Sequence, residues 1–205
     1  EVIYRVGGAV LKKESVLVEK HEQILIRYTL VDALSPNILK LRPFLAFRNV
    51  HSLSKANMYA NTRFRKVKNG IVSKLYDGFP GLYMQLSKSA EFVAIPDWYY
   101  NIEYPEEQNR GYDYKEDLFV PGYFEVRLRK GESIVFSAST SEVNPAGFKR
   151  KFDSEMKQRI PRNSFINCLN NSAEQFFVKK DRGTELIAGY PWFGAWGRDT
   201  FIALP

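Results

Sequence analysis

Hydrophobic and polar residues alternate along the first two-thirds of the chain with a period of two, as they do in β-strands that turn one face to a core. In residues 124–129, charged residues separate Phe124, Val126 and Leu128. Residues 24–30 and 39–47 alternate in the same way, and turn-forming segments lie between such runs. No strong helical period precedes residue 140. We therefore predict a mainly β domain over residues 1–141, built as an antiparallel β-sandwich.

The spacing of apolar residues changes after residue 141 to that of amphipathic helices. Asn144 and Pro145 suit a helix start, and Pro161 suits its end, so we predict a first helix over about residues 145–160. Its apolar stripe consists of Phe148, Phe152, Met156 and Ile160.

A second apolar stripe begins near residue 164. It consists of Phe165, Ile166, Leu169, Ala173, Phe176 and Phe177. This spacing predicts a helix over residues 164–180 with Gly183 as its stop, and a third helix that begins near Asp199. We assign residues 142–205 to linker helices and the first segment of a second domain.

Composition excludes several classes of protein. Hydrophobic residues make up 44% and charged residues 26% of the 205 residues, as in globular proteins. The net charge of +7 is spread along strands without a nucleic-acid-binding motif, and no apolar run could cross a membrane, so we expect neither partner. Cys168 cannot form an internal disulfide, which favours a cytoplasmic protein, although a chain that starts without Met leaves open whether a leader precedes it. His21 and His51 are too isolated for a metal site, and we expect no cofactor.

Chemistry concentrates in residues 188–200, AGYPWFGAWGRDT. Trp192 and Trp196 offer flat faces for stacking on an apolar ligand face. Beside Arg198 and near a helix start, Asp199 is expected to stay ionised, which makes it a fixed acceptor for hydroxyl groups rather than a general acid. These parts suit one wall of a sugar-binding subsite. An aromatic hinge between domains is the equally weighted alternative.

Three segments carry a family resemblance. Residues 188–205 (AGYPWFGAWGRDTFIALP) resemble the segment that opens the catalytic domain of glycogen debranching enzymes of the amylo-α-1,6-glucosidase type. The WGRDT core also resembles a segment of glucoamylases. Residues 39–53 and 110–124 resemble the N-terminal domain of bacterial and archaeal debranching enzymes. Ala195 departs from the acidic residue expected in many relatives, which leaves the role of this position open.

The resemblance implies a supersandwich domain, linker helices and the beginning of a six-hairpin α/α barrel. It also implies hydrolysis of α-1,6-glucosidic branch points in glycogen or related α-glucans by the full-length protein. Arg198, Asp199 and Trp196 would bind the terminal glucose together with Trp192, and no catalytic residue lies in the chain because the acid and base are expected downstream of Pro205. The sandwich would dock on that barrel. The alternative is a non-catalytic carbohydrate-binding or interaction module.

Two further segments of the β region carry candidate groups. Glu116 and Asp117 are adjacent on a predicted strand and so point to opposite faces, which favours a structural turn, or docking to the barrel, over a shared catalytic role. Residues 97–100 (DWYY) could form a sugar platform, but core or interdomain packing is the preferred interpretation.

Overall fold

The computed structural model describes residues 1–180, 183–189 and 194–203. The chain divides into two compact units, Glu1–Met156 and Lys157–Pro205. The fold is mainly β, with 44% strand and 18% helix. Among the described residues, no helix combines the length and the apolar character that crossing a membrane requires.

The first unit is built from two antiparallel sheets, and the larger has seven strands. Its strands are β1 (Val2–Val6), β2 (Ala9–Leu17), β3 (Gln23–Asp32), β5 (Phe64–Val67), β6 (Gly70–Ser73), β7 (Leu82–Leu86) and β10 (Ser133–Ser139). They lie in the order β1-β2-β3-β10-β7-β6-β5. The late strand β10 thus occupies the middle of the sheet, pairing with β3 on one side and β7 on the other.

The smaller sheet has three strands in the order β4-β9-β8. Its strands are β4 (Asn37–Leu41), β8 (Glu91–Glu103) and β9 (Lys115–Leu128), and the short helix α1 (Pro105–Asn109) lies between β8 and β9. The register between β8 and β9 shifts beside Gly122. A Cβ on Gly122 would lie 2.1 Å from the Val93 carbonyl oxygen, and its φ is +144°, so only glycine fits there.

The core lies between the inner faces of the two sheets, as period-two patterning predicts. Its buried side chains from the larger sheet are Leu30, Ile71, Met84, Leu86 and Ile134. Those from the smaller sheet are Leu41, Phe119, Phe124, Val126 and Leu128. Both sheets therefore contribute buried apolar side chains to one core, and the predicted β-sandwich is confirmed.

The outer face of the larger sheet is covered by helix α2 (Phe148–Gln158), which follows a 3-10 turn at Pro145–Gly147. Phe148 and Phe152 are buried together with Leu25 and Val135. Arg27 reaches up from β3, lies 4.2 Å from the centre of the Phe152 ring and donates to Asp153 Oδ1 at 2.6 Å. This packing explains why apolar residues occupy both faces of β3.

The first predicted helix is confirmed as α2, with Asn144 accepting a hydrogen bond from the Ala146 backbone N–H at its start. The apolar stripe is buried only in its first half, because Met156 is 42% exposed and α2 ends at Gln158 before Ile160.

The second unit contains helix α3 (Phe165–Glu174), the hairpin β11 (Phe177–Lys180) and β12 (Gly183–Leu186), and helix α4 (Gly197–Ala203). The prediction of one helix to residue 180 is wrong in its last turn, because residues 177–180 pair antiparallel with residues 183–186. Gly183 begins β12 rather than stopping a helix. The third predicted helix is confirmed as α4.

Candidate functional site

The segment that carries most of the predicted site follows the β11–β12 hairpin in the second unit. Ile187 donates a backbone hydrogen bond to Phe176 at 2.9 Å and forms an antiparallel bridge with Ala195. Ala188 donates to the Gly194 carbonyl at 3.1 Å. These backbone bonds hold residues 194–195 beside residues 187–188, so α4 begins next to the end of the hairpin. Trp192 lies outside the described residues.

Arg198 and Asp199 lie in the first turn of α4. The Arg198 Nη2 atom is 3.7 Å from Asp199 Oδ2, and their side chains are 75% and 37% exposed. Although the carboxylate as a whole is partly open, its Oδ2 atom is buried and has no hydrogen-bond donor among the described residues. An ion pair without a hydrogen bond leaves that oxygen with accepting capacity.

Trp196 immediately precedes α4 and is 53% exposed. Its carbonyl oxygen accepts from the Thr200 backbone N–H and from Thr200 Oγ1, both at 3.0 Å. The backbone that carries the indole ring is thereby tied to the first turn of the helix. Trp196, Arg198 and Asp199 therefore belong to one local element.

Chemically, the described part of α4 and the residues just before it supply a single carboxylate. The described residues 194–203 contain one carboxylate, Asp199. Inverting glycoside hydrolysis needs an acid and a base roughly 6.5–9.5 Å apart. No group of three or more His, Cys, Asp or Glu residues in the described part of the chain could hold a metal ion.

A second polar cluster, not predicted as such, lies in the first unit around Glu116 on β9. Its carboxylate is completely buried. It accepts from Arg48 Nε and, at 3.0 Å, from Arg48 Nη2, and also from Tyr104 Oη at 2.6 Å and Ser54 Oγ at 2.9 Å. Burial alone would raise the pKa of Glu116, but these hydrogen bonds outweigh burial and lower the pKa to about 2.

The neighbouring Asp117 accepts hydrogen bonds from a different set of groups, which are backbone N–H donors. Its Oδ1 accepts from the Asn101 backbone N–H at 2.8 Å and its Oδ2 from the Ala56 backbone N–H at 3.0 Å. These two backbone bonds lower the pKa of Asp117. Neither carboxylate is part of a turn, because both lie within β9, and each serves to fasten neighbouring segments. The sequence indicated that Glu116 and Asp117 point to opposite faces of the strand, but it did not indicate which residues each carboxylate would bind.

The predicted alternative of a sugar platform at residues 97–100 does not assemble. Trp98 turns into the sandwich, where its ring centre is 5.5 Å from that of Phe119. Tyr99 packs edge-on against Phe44 at 4.8 Å and accepts from Arg42. Of the three aromatic residues in this segment, only Tyr100 is largely exposed. Core packing is therefore the correct interpretation of Trp98.

A shallow, open groove of about 220 Å³ lies on the first unit. Phe44, Phe47, Phe79 and Pro80 line it, with Arg48 and Thr140 as polar neighbours. Arg48 already binds Glu116 and Thr140 already donates to Glu22, so the groove offers few polar groups to a ligand.

Two family comparisons cover these regions. The family described as "Glycogen debranching enzyme N terminal" matches residues 1–135, which include most of the sandwich. The chain belongs to the glycogen debranching enzyme family. The family described as "Amylo-alpha-1,6-glucosidase" matches residues 171–205, which include α4 and the Arg198–Asp199 pair. No individual curated protein matched the chain. The resemblance seen in the debranching-enzyme motifs is therefore confirmed in both units.

Proposed function

We propose that this chain is part of a glycogen debranching enzyme that hydrolyses α-1,6-glucosidic branch points, acting on glycogen or a related α-glucan in the cytoplasm. The carrying observation is the buried Asp199 Oδ2 atom, which finds no hydrogen-bond donor among the described residues and lies inside the segment that the amylo-α-1,6-glucosidase family matches. An acceptor oxygen held in this way suits the hydroxyl groups of a terminal glucose.

In this proposal each residue of the motif has one task. Asp199 accepts hydrogen bonds from glucose hydroxyls, and Arg198 orients the carboxylate from 3.7 Å. The half-exposed Trp196 stacks on the apolar face of the sugar ring, with Trp192 as a second aromatic wall. The acid and the base that cleave the bond come from beyond Pro205, and the sandwich docks on the barrel that carries them.

The Asp199→Asn variant of the full-length enzyme tests this assignment. The substitution keeps the shape but removes the charge and replaces an acceptor with a donor. Because charge-assisted hydrogen bonds contribute about 1.5–3 kcal/mol each, the loss of one or two lowers kcat/KM for release of branch-point glucose by roughly ten-fold to ten-thousand-fold.

The matched control is Glu174→Gln, which also neutralises a carboxylate of the second unit but at the exposed end of α3. It should leave kcat/KM unchanged. If Asp199→Asn has normal kinetics, the binding assignment is wrong. Melting temperatures of both variants show whether a loss of activity reflects a loss of fold.

The 205-residue chain by itself should release no glucose from a branched dextrin above a blank, because the proposal places the acid and the base beyond Pro205. Glucose release by the purified chain would contradict the proposed division of the site.

A further inference from the structure

Two large side chains project into solvent from the connection between β4 and β5. Met58 is 97% exposed and Tyr59 is 90% exposed. They are neighbours in sequence, and neither position belongs to a helix or strand. Contiguous exposed apolar side chains often mark an interaction site. That interpretation requires the loop to hold Met58 and Tyr59 in one conformation.

The loop is held by specific hydrogen bonds on both sides of the exposed pair. Asn57 Oδ1 accepts from the backbone N–H groups of Tyr59 and Ala60 at 3.0 and 3.1 Å. Asn57 Nδ2 donates to Tyr76 Oη at 2.8 Å, and Asn61 N donates to the Leu75 carbonyl at 2.8 Å. The backbone at residues 57–61 is thereby tied to the segment that follows β6.

The two buried carboxylates fasten the preceding residues of the same loop. Glu116 Oε1 accepts from the backbone N–H of Ser54 at 3.0 Å, and Asp117 Oδ2 accepts from that of Ala56 at 3.0 Å. Burying two adjacent carboxylates costs free energy that their partners must offset. The hydrogen bonds to these carboxylates therefore fix the part of the loop that leads into the exposed pair.

The chemistry around Tyr59 fits an uncharged polyhydroxyl ligand. A phenol ring offers a flat apolar face to a pyranose and an hydroxyl group to its edge. Asn61, Thr62 and Arg63 follow in sequence, are exposed, and contribute amide, hydroxyl and guanidinium groups. No carboxylate lies between Ser54 and Arg63, so the loop is not arranged to attract cations.

The area of the exposed pair favours a glycan over a protein as the ligand. Even fully buried, one aromatic side chain and a methionine cover roughly 350 Å², whereas a stable protein interface covers about 800 Å² on each partner. A contact this small is weak on its own. A glycogen particle presents many chain ends, and multivalency makes weak contacts effective.

We propose that Tyr59 and Met58 form an accessory contact for the α-1,4-linked outer chains of glycogen, apart from the segment that carries Arg198 and Asp199. This inference rests on the proposed function for its ligand. It assigns to the sandwich a direct role in holding the polymer while the branch point is cut elsewhere.

Glycogen binding by the 205-residue chain, measured as retardation in native gels that contain glycogen, tests the contact without any catalytic step. We expect Tyr59→Ala to weaken binding about five- to ten-fold, and Tyr59→Phe to bind nearly as well as the native chain because the ring is kept. The control is Tyr4→Ala on β1, at the opposite edge of the larger sheet from β5, and it should bind normally.

The full-length enzyme supplies the second measurement. Tyr59→Ala should raise KM for glycogen while leaving kcat/KM for a short branched oligosaccharide unchanged, since such a substrate lacks the long outer chains that the contact would bind. A Tyr59→Ala chain that binds glycogen like the native chain overturns the proposal. Normal glycogen binding combined with weaker association between the sandwich and the catalytic region would assign the loop to a protein contact instead.

If the full-length protein proves unable to cleave branch points, the proposed function fails, but the gel measurement on the 205-residue chain still decides the contact independently.

Discussion

The two units of this chain differ sharply in how they treat their apolar residues. In the first unit, the two sheets bury one cluster of large side chains, including Phe119 and Phe124, and α2 buries a second that includes Phe152. The described part of the second unit contains no buried residue. Seven of its large apolar side chains are more than half exposed, namely Phe165, Ile166, Leu169, Phe177, Trp196, Phe201 and Ile202.

This difference shows that an amphipathic pattern identifies the apolar face of an element. It does not show that another surface of the same unit covers that face. The α3 stripe has the regular spacing of a core-facing helix, yet nothing described in its own unit covers it. The sandwich has its own core and should fold by itself, whereas the second unit should gain stability only when another surface covers these side chains.

The largest expected effect contrasts one phenylalanine from each unit. Phe152→Ala opens a cavity beneath α2 and should lower the free energy of unfolding of the sandwich by about 3–5 kcal/mol. Phe165→Ala removes a ring that is already 79% exposed and should change it by less than about 0.5 kcal/mol. Denaturant unfolding of the chain, followed by circular dichroism in the β region, compares them. Equal losses in the two variants would contradict the difference between the units.

A somewhat smaller effect is expected at the buried ion pair. Glu116→Gln leaves the Arg48 guanidinium without its carboxylate partner and loosens Ser54, so the free energy of unfolding should fall by about 3 kcal/mol. The control, Glu125→Gln, removes a partly exposed carboxylate on the same strand that pairs with Lys40, and should cost less than about 1 kcal/mol. Chemical denaturation at neutral pH gives both values.

The same carboxylate makes the sandwich sensitive to acid. The pKa of Glu116 is about 2 in the folded protein and about 4.3 when unfolded, so its contribution is complete above the unfolded value and is lost as the pH falls from about 5 to about 2. The expected loss is about 3 kcal/mol. Thermal melts of the native chain and of Glu116→Gln across this range should converge at low pH. Parallel curves would show that other groups cause the acid sensitivity.

The smallest expected effect compares the loss of one helix cap in each unit. Asn144 caps the turn before α2, and Ser164 Oγ accepts from Asn167 N at 3.2 Å at the start of α3. Asn144→Ala should destabilise the sandwich by about 1 kcal/mol, while Ser164→Ala should leave its unfolding midpoint unchanged and lower only the helical signal. A shift of the sandwich midpoint in Ser164→Ala would show that the units unfold together.

The sequence was sufficient for the parts of the fold that depend on local pattern. Alternation along residues 124–128 correctly placed Phe124, Val126 and Leu128 in the core. The recurrence of apolar residues at every fourth position predicted α2 correctly, because the backbone hydrogen bonds of a helix join residues only four positions apart. The turn after α3 was missed since Phe176 and Phe177 extend the helical spacing, although Gly183 follows within a few residues and is a turn signal.

Long-range pairing could not be predicted from one sequence. Nothing in residues 133–139 indicates that they lie between β3 and β7 rather than beside β9. The conformation of the connection from β4 to β5 could not be predicted either. It depends on carboxylates some 60 positions later, such as Glu116, which accepts from Ser54. For the candidate site, the sequence supplied Arg198, Asp199 and Trp196 as one local group. Their roles in binding stay predictions, and Trp192 lies outside the described residues.

The central position of β10 has a consequence for the order of folding. Until Ser133–Ser139 has been synthesised, β1-β2-β3 and β5-β6-β7 are separate pieces, each with an open edge that can pair with another chain. Closure of the larger sheet joins segments about a hundred residues apart, which makes assembly slow. The family match ends at residue 135, inside this strand. A protein cut at that point would keep both open edges and should aggregate, whereas one that extends through α2 should refold.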